Sequence, residues 1–185
     1  MQLREVMFEW ADSYDTKDWD RLARVVAPYV SLKYIGVSDI AEFEEEYLHK
    51  DTYLALVAWP GFLGDPLVKT QHLIGLSKFR KISPTEAIGY HQIRAAHQRY
   101  TDETKTTVKE NGNGHALVRI KYRKVGGGVW PWSSPGEWKW AGIETNIRWN
   151  EGPFENIFQF EKNGNFIEWM KFWRQGNEKE QRSLN

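Results

Sequence analysis

The sequence contains no cysteine among its 185 residues. This absence excludes a disulfide framework, thiolate metal ligands and a cysteine nucleophile. Net charge is also absent, because 25 basic residues balance 25 acidic ones. Nucleic-acid-binding domains usually carry a basic excess, so we expect no nucleic-acid partner. No apolar run approaches the length of a membrane span, and the early acidic residues do not fit a signal peptide. We therefore expect a cytoplasmic protein without a membrane partner.

Aromatic residues, by contrast, are abundant: 10 Trp, 9 Phe and 8 Tyr. Such a content suits a pocket for a flat organic ligand, but a well-packed core together with an oligomer interface would explain it equally well. The length predicts one domain over residues 1–185, large enough to form a core without a covalent staple. We interpret residues 161–185 as a C-terminal extension of that domain.

Helical spacing dominates the first part of the chain. Apolar or aromatic residues recur every three or four positions in the opening segment: Leu3, Val6, Met7, Trp10 and Tyr14. A second helix is predicted to begin at an N-cap on Asp15 or Thr16 and to end before Pro28. A short strand over residues 30–37 follows.

Two further helices are predicted before the pattern changes. The first has Ser38 or Asp39 as its N-cap and includes Phe43 and Tyr47. The second spans residues 52–59 and ends before a proline. These segments complete a mainly helical N-terminal part.

From there the apolar pattern changes to a period of two. Strands are predicted over residues 70–82, 86–103, 114–125 and 137–149, with a turn at residues 110–114. Helices followed by a run of antiparallel strands indicate an α+β fold. We expect a strongly curved, mostly antiparallel sheet wrapped by the N-terminal helices into a cone around a cavity. A flat sheet covered by the helices is the alternative.

Three histidines in these strands are candidates for chemistry. His91 and His97 are six positions apart, so a regular strand directs both rings to one face. Small neighbours on that face, such as Ala95, leave room for a ligand beside His97. The preceding strand carries His72, which antiparallel pairing could bring close to His97. Because the pKa of an imidazole is about 6.5, one histidine can hold a proton while another accepts one. With tyrosine hydroxyls, this suffices for acid/base catalysis without a cofactor.

Other catalytic centres are less well supported. A histidine metal site is the competing interpretation, but the sequence has no His-x-His pair and no helical His-x-x-x-His pair. We therefore expect no metal and no cofactor. The glycines at 126–128 precede Val-Trp-Pro and not a helix with Lys and Ser/Thr, so they do not form a phosphate-binding loop. A G-x-S-x-G nucleophile elbow is also absent.

Four collinear segments resemble scytalone dehydratase, the fungal melanin-pathway enzyme. They span roughly residues 6–160 and are EWADSYDTKDWDRL (9–22), LGDPLVKTQHLIG (63–75), GYHQIRAAHQRY (89–100) and IRWNEGPFENIF (147–158). The resemblance implies the NTF2-like cone, a curved sheet and helices around a deep pocket. It also implies a lyase without a cofactor and a homotrimer.

The resemblance also assigns roles to individual residues. Tyr14 and Tyr34 match the family's tyrosines that order a water molecule over the substrate carbonyl. His72 and His97 match its acid/base histidines, and His97 is our first choice for the group that transfers the proton. Asp15 matches an aspartate that does not contact the substrate but supports the residues that do.

Aromatic residues complete the implied site. Phe154 and Phe158 match the pair that closes over the ligand from the C-terminal segment. His91 has no catalytic counterpart in the family, so we expect a structural role for it.

Two positions depart from the family pattern. Ala116 and Val118 occupy places where the family has a serine and an asparagine on the corresponding strand. With Ala95, we expect them to form a substrate-binding wall that makes no hydrogen bond. Because a site built to bind a hydroxyl discriminates strongly and an apolar one does not, we expect a more apolar or differently hydroxylated substrate than scytalone. The chain is accordingly interpreted as a paralogue and not as the melanin enzyme itself.

Three functions fit these features. The first is dehydration of a hydroxylated polyketide-type metabolite in fungal secondary metabolism, a carbon–oxygen lyase reaction on a small molecule. The second is dehydration to a quinone methide, coupled to a cyclisation or a hetero-Diels–Alder step as in a pericyclase. The third is a non-catalytic small-molecule carrier, because a fold does not specify catalysis. The enzymatic readings require Tyr14, Tyr34, His72 and His97 to converge on one cavity.

Overall fold

The structure is a computed structural model that describes residues 2–35, 43–127, 135–153 and 156–158. Three α-helices and six strands lie within these ranges. In chain order they are α1 (Gln2–Thr16), α2 (Trp19–Val25), β1 (Val26–Tyr34), β2 (Phe43–His49), α3 (Lys50–Val57), β3 (Val68–Lys81), β4 (Glu86–Tyr100), β5 (Val108–Val125) and β6 (Glu137–Glu151).

The predicted start of the second helix is wrong. Asp15 and Thr16 belong to α1, and the Thr16 hydroxyl continues that helix by donating to the backbone oxygen of Asp12 (2.7 Å). Lys17 then adopts a positive φ of 57° and turns the chain. Asp18 caps α2 by accepting a hydrogen bond from the Arg21 amide (2.9 Å).

The helix predicted to contain Phe43 and Tyr47 is also wrong, because residues 43–49 form β2, antiparallel to β1. Ser38 and Asp39, its predicted caps, lie outside the described residues. Cross-strand contacts explain the outcome, since the Tyr47 ring stacks on Tyr29 with a centroid distance of 4.1 Å. Strand pairing therefore outweighs the local helical spacing.

The strands form one sheet in the order β2-β1-β6-β5-β4-β3. All neighbouring pairs are antiparallel except β1 and β6, which are parallel. The turn predicted at residues 110–114 is wrong, because β5 begins at Val108 and Gly112 pairs with His97 of β4. Pairing along the full length of β4 extends the strand through these glycines.

Irregular pairing accompanies the curvature of the sheet. Register shifts occur between Ile74 and Ser77 in β3, and between Ile147 and Trp149 in β6. Such bulges bend a strand and increase its twist. Helix α1 packs against β3 and β6, so it lies across the concave face. This arrangement confirms the predicted α+β cone and shows that the flat-sheet alternative is wrong.

A stack of three aromatic rings lies in the hydrophobic core. Trp140 of β6 is fully buried, and its ring stacks on Trp10 (5.7 Å) and on Tyr53 of α3 (5.0 Å). No helix in the described part of the chain is long and apolar enough to cross a bilayer.

His91 is part of this core. Its Nδ1 lies 2.8 Å from the Ser77 hydroxyl, and its Nε2 lies 2.9 Å from the Tyr122 hydroxyl. Burial lowers the pKa of His91 to about 4, so the ring is neutral near pH 7. Both ring nitrogens therefore form hydrogen bonds to neighbouring strands, which is typical of a structural histidine.

Candidate active site

A cavity opens on the concave face between α1 and the sheet. Residues from α1, the loop before β3, the strands and the C-terminal segment line it: Trp10, Tyr14, Tyr34, Phe62, Leu63, His72, Ile93, Ala95, His97, Gly114, Ala116, Val118, Ile143, Thr145, Ile147, Asn150 and Phe158. The wall is mainly apolar, with a few polar groups that converge, as is typical of sites for small organic molecules.

Four predicted site residues meet in this cavity although they come from different elements. Tyr14 lies near the end of α1, Tyr34 ends β1, His72 lies in β3 and His97 in β4. The His72 and His97 rings are 6.2 Å apart between centroids and nearly perpendicular. The four side chains therefore converge on one cavity, as both enzymatic hypotheses require.

Small residues form the floor between the polar groups. Across the sheet, His72 is the neighbour of Ala95, Ala95 of Gly114, and Gly114 of Asn150. Because strands lie about 4.8 Å apart, this row spans roughly 14 Å from the first Cα to the last. A flat molecule can lie on Ala95 and Gly114 with a histidine at one end and an amide at the other.

Asp15 holds His72 in place. Its Oδ1 lies 2.7 Å from His72 Nδ1 and accepts a hydrogen bond from the Thr70 hydroxyl (2.9 Å), while its Oδ2 accepts one from the His72 amide (2.7 Å). Burial opposes ionisation of Asp15, but these hydrogen bonds and the charge of His72 outweigh it and lower the pKa of Asp15. An ionised carboxylate only accepts hydrogen bonds, so the proton lies on His72 Nδ1. In the neutral ring, Nε2 is then the basic nitrogen.

The environment of His97 is different. Burial and the nearby His72 lower the pKa of His97 to about 3. Phe158 lies edge-on against its ring at 5.2 Å. His97 is therefore a neutral hydrogen-bonding group at neutral pH and does not readily carry a positive charge.

The two tyrosines stay protonated in the cavity. Burial raises the pKa of Tyr14 well above its usual value. Burial also raises the pKa of Tyr34. Both hydroxyls therefore keep a proton to donate to an oxygen of a ligand.

Phe158 closes one side of the cavity. Its ring packs against Phe62 at 4.9 Å. The segment before it is tied to the sheet because the buried Arg99 donates from Nε to the backbone oxygen of Ile157 (2.5 Å) and pairs with Asp65. Phe154, the other predicted closing residue, lies outside the described residues.

The predicted substrate-binding residues Ala95, Ala116 and Val118 all line the cavity. Ala116 lies between Ile93 and Ile147 on neighbouring strands, so this part of the wall is apolar.

Trp10, Thr145 and Asn150 also line the cavity but do not appear among the predicted site residues. The Thr145 hydroxyl accepts a hydrogen bond from the Ile35 amide (3.0 Å) and so bonds to backbone. Alternation from Ile143 along β6 could have placed Thr145 on this face. Asn150 could not have been found this way, because a bulge at Arg148 reverses the alternation.

Among residues 2–35, 43–127, 135–153 and 156–158, no group of three or more His, Asp or Glu side chains is arranged to hold a metal ion.

The fold and the site together define an NTF2-like α+β cone with a histidine, tyrosine and aspartate cluster facing an apolar cavity. The chain belongs to the scytalone dehydratase family, whose sequence model matches residues 1–165.

Similar proteins come from several fungi. The chain is 46% identical over 162 residues to scytalone dehydratase arp1 of Aspergillus fumigatus, covering 88% of this chain and 89% of that protein. It is 42% identical over 161 residues to the scytalone dehydratase-like protein mdpB of Emericella nidulans, covering 85% and 70%. It is 40% identical over 157 residues to scytalone dehydratase of Pyricularia oryzae, covering 85% and 84%.

Solved structures share the fold at low identity. A candidate scytalone dehydratase from Novosphingobium aromaticivorans superposes with a TM-score of 0.60 at 19% identity, covering 80% of this chain and 83% of that one. The hexachlorocyclohexane dehydrochlorinase LinA type 2 gives a TM-score of 0.57 at 12% identity, covering 82% and 86%. At these identities the likeness concerns the fold alone.

Proposed function

We propose that the protein is a dehydratase, a carbon–oxygen lyase, that removes water from a hydroxylated polyketide-type metabolite without a cofactor. The observation that carries this proposal is the convergence of Tyr14, Tyr34, His72 and His97 on one apolar cavity, with Asp15 bonded to His72. Relatives at 40–46% identity that bear the name scytalone dehydratase support the same reaction class.

His72 takes the proton in this proposal. Dehydration of a β-hydroxy ketone begins with loss of a proton from the carbon next to the carbonyl group. The base must then carry a positive charge, which the Asp15 carboxylate stabilises on His72. The low pKa of His97 opposes such a charge there. We therefore reverse the order expected from the sequence: His72 transfers the proton, and neutral His97 orients the hydroxyl group.

The tyrosines stabilise the enolate. As the C–H bond breaks, negative charge develops on the carbonyl oxygen, and donors aimed at that oxygen lower the barrier. Tyr14 and Tyr34 donate to it through a water molecule. The enolate then forms the C=C bond as the C–O bond breaks, and protonated His72 returns its proton to the leaving hydroxide. One water molecule is released, and the histidine is neutral again.

The wall of the cavity selects the substrate. Ala116 and Val118 offer no hydrogen bond where the family has a serine and an asparagine. A substrate edge without a hydroxyl group, such as an alkyl or alkenyl chain, fits there. This supports a paralogue with its own substrate.

The apolar wall also favours a second outcome. Loss of water from a benzylic alcohol gives a quinone methide, and an apolar cavity around Ile93, Ala116 and Ile147 would shield it from water. A cyclisation or hetero-Diels–Alder step would then follow at the same site. A cyclic product with the mass of the dehydrated substrate distinguishes this outcome from dehydration alone.

A homotrimer is part of the proposal. Leu73, Leu76 and Trp149 expose 49%, 80% and 56% of their surfaces on β3 and β6. Apolar side chains grouped on an outer face are typical of interfaces. Light scattering after gel filtration should give three times the chain mass of 21.8 kDa, and a monomer would contradict this part of the proposal.

The activity is tested by incubation with scytalone and a panel of hydroxylated polyketides. Mass spectrometry should detect loss of one water from at least one of them, and the activity should survive prolonged treatment with a strong chelator. Tight binding of panel members without any mass change would instead indicate a carrier.

A further inference from the structure

We propose that Tyr53 is a positioning residue that directs the hydroxyl proton of Tyr14 into the cavity. The inference deepens the proposed function and rests on it. Tyr53 lies in α3 and does not line the cavity, so its effect passes through Tyr14.

Three buried side chains form a hydrogen-bonded chain. Trp10 Nε1 lies 3.0 Å from the Tyr53 hydroxyl, and the Tyr53 and Tyr14 hydroxyls are hydrogen-bonded to each other. Both Trp10 and Tyr53 stack on Trp140, which fixes their rings. The geometry is therefore set by the core and not by the ligand.

The direction of these hydrogen bonds follows from the groups that can donate. An indole N–H only donates, so the Tyr53 oxygen accepts from Trp10. The Tyr53 side chain is completely buried, and in the described part of the chain its proton has one acceptor, the Tyr14 oxygen. If Tyr14 donated to Tyr53 instead, the Tyr53 proton would be buried without a partner, which is unfavourable. Tyr53 therefore donates to Tyr14.

Tyr14 is left with a free proton on the side of the cavity that it lines. Because its oxygen already accepts a hydrogen bond, its own O–H is polarised and becomes a stronger donor. The cavity should therefore favour an anionic oxygen beside Tyr14. Ionised phenols and naphthols belong to this ligand class, because they resemble the enolate of the proposed reaction.

The probe is 2-naphthol, whose ionised form is distinguished from the neutral form by absorbance. We expect Tyr53→Phe to weaken binding of the naphtholate by about 3- to 10-fold, the effect of one hydrogen bond. Binding of naphthalene, which has no oxygen, should not change. Tyr14→Phe should weaken naphtholate binding at least as much, and adding Tyr53→Phe to it should have no further effect.

Tyr122→Phe is the matched control. Tyr122 is also a buried tyrosine, but its hydroxyl bonds to His91 and it does not line the cavity. It should leave naphtholate binding unchanged, and an equal loss in this variant would overturn the proposal. If Tyr14→Phe weakens naphtholate binding and Tyr53→Phe does not, the role of Tyr53 is wrong while the proposed function stands. If neither variant has an effect, the donor role of Tyr14 in the proposed function fails as well.

Turnover provides a second readout. With an active substrate, Tyr53→Phe should lower kcat by the same 3- to 10-fold and leave KM nearly unchanged, because the charge develops only in the transition state. A purely structural role would change KM and stability without selecting the anionic ligand.

Discussion

His72 and His97 face the same cavity in opposite electrostatic environments. His72 donates to the Asp15 carboxylate, which stabilises a positive charge on the ring. His97 is buried beside another histidine, and its pKa falls to about 3. This difference underlies the proposed division of tasks, in which His72 carries a proton and His97 orients a neutral group.

The first prediction concerns these histidines. His72→Asn should lower kcat by about 10²- to 10⁴-fold, the usual contribution of a general acid/base group, because asparagine cannot accept the proton. His97→Asn should also reduce turnover strongly, and both proteins should remain folded by circular dichroism. His115→Asn is the control, since that ring stacks on Trp149, which is largely exposed. Near-normal rates in both cavity variants would show that the assignment is wrong.

The second prediction concerns Ala116 and Val118. A scytalone-sized ligand would bury a hydroxyl group without a partner here, at about 1–3 kcal/mol, or roughly 5- to 150-fold in kcat/KM. Ala116→Ser with Val118→Asn should raise kcat/KM for scytalone and lower it for the native substrate. Val108→Asn, at an exposed position of the same strand, should change neither. Efficient dehydration of scytalone by the unchanged protein would contradict the prediction.

At the scale of elements, Arg99 connects β4 to two other segments. Its guanidinium pairs with Asp65 before β3 and donates to the Ile157 carbonyl. Both charged side chains are almost fully buried. Burial removes them from water, so each depends on the other.

The third prediction follows from this pair. Arg99→Leu should lower the free energy of unfolding by about 3–5 kcal/mol, because it removes the ion-pair partner of the buried Asp65 carboxylate. The double variant with Asp65→Leu should recover part of that loss. Urea denaturation monitored by tryptophan fluorescence measures both. Arg123→Leu is the control, as its pair with Glu86 is half exposed. A double variant as unstable as the sum of the single ones would contradict this account.

For the whole molecule, the two buried histidines of β4 make stability depend on pH. His91 has a pKa of about 4 and His97 of about 3 in the folded protein, against about 6.5 in the unfolded chain. Below pH 6.5 the two histidines bind protons in the unfolded chain but remain neutral in the folded protein. Their stabilising effect is complete above pH 6.5 and is lost as the pH falls towards 4 and then 3.

The fourth prediction is therefore a loss of stability between pH 6.5 and 4.5. Each histidine contributes a slope of up to about 1.4 kcal/mol per pH unit. Urea denaturation at several pH values measures the slope, which His97→Gln should reduce by about half. The lowered pKa of Asp15 affects stability only at more acidic pH, where the Asp15 carboxylate of the unfolded chain begins to bind protons. A flat profile in this range would show that the two rings are not neutral in the folded state.

The sequence by itself determined the elements whose pattern is local and uninterrupted. Alternation placed His91 and His97 on one face, and helical spacing placed Trp10 and Tyr14 on one side of α1. The order of helices and strands indicated the α+β cone, and the four collinear segments indicated the family.

Only the tertiary structure decided what depends on partners distant in the chain. Residues 43–49 became a strand because β1 pairs with them, although their spacing is helical. Asn150 reached the cavity because one extra residue in β6 reverses the alternation. The separate roles proposed for His72 and His97 rest on Asp15, which is 57 residues from His72, and on burial. Neither pairing across the chain nor the local dielectric is encoded in the spacing of neighbouring residues, so these features required the folded chain.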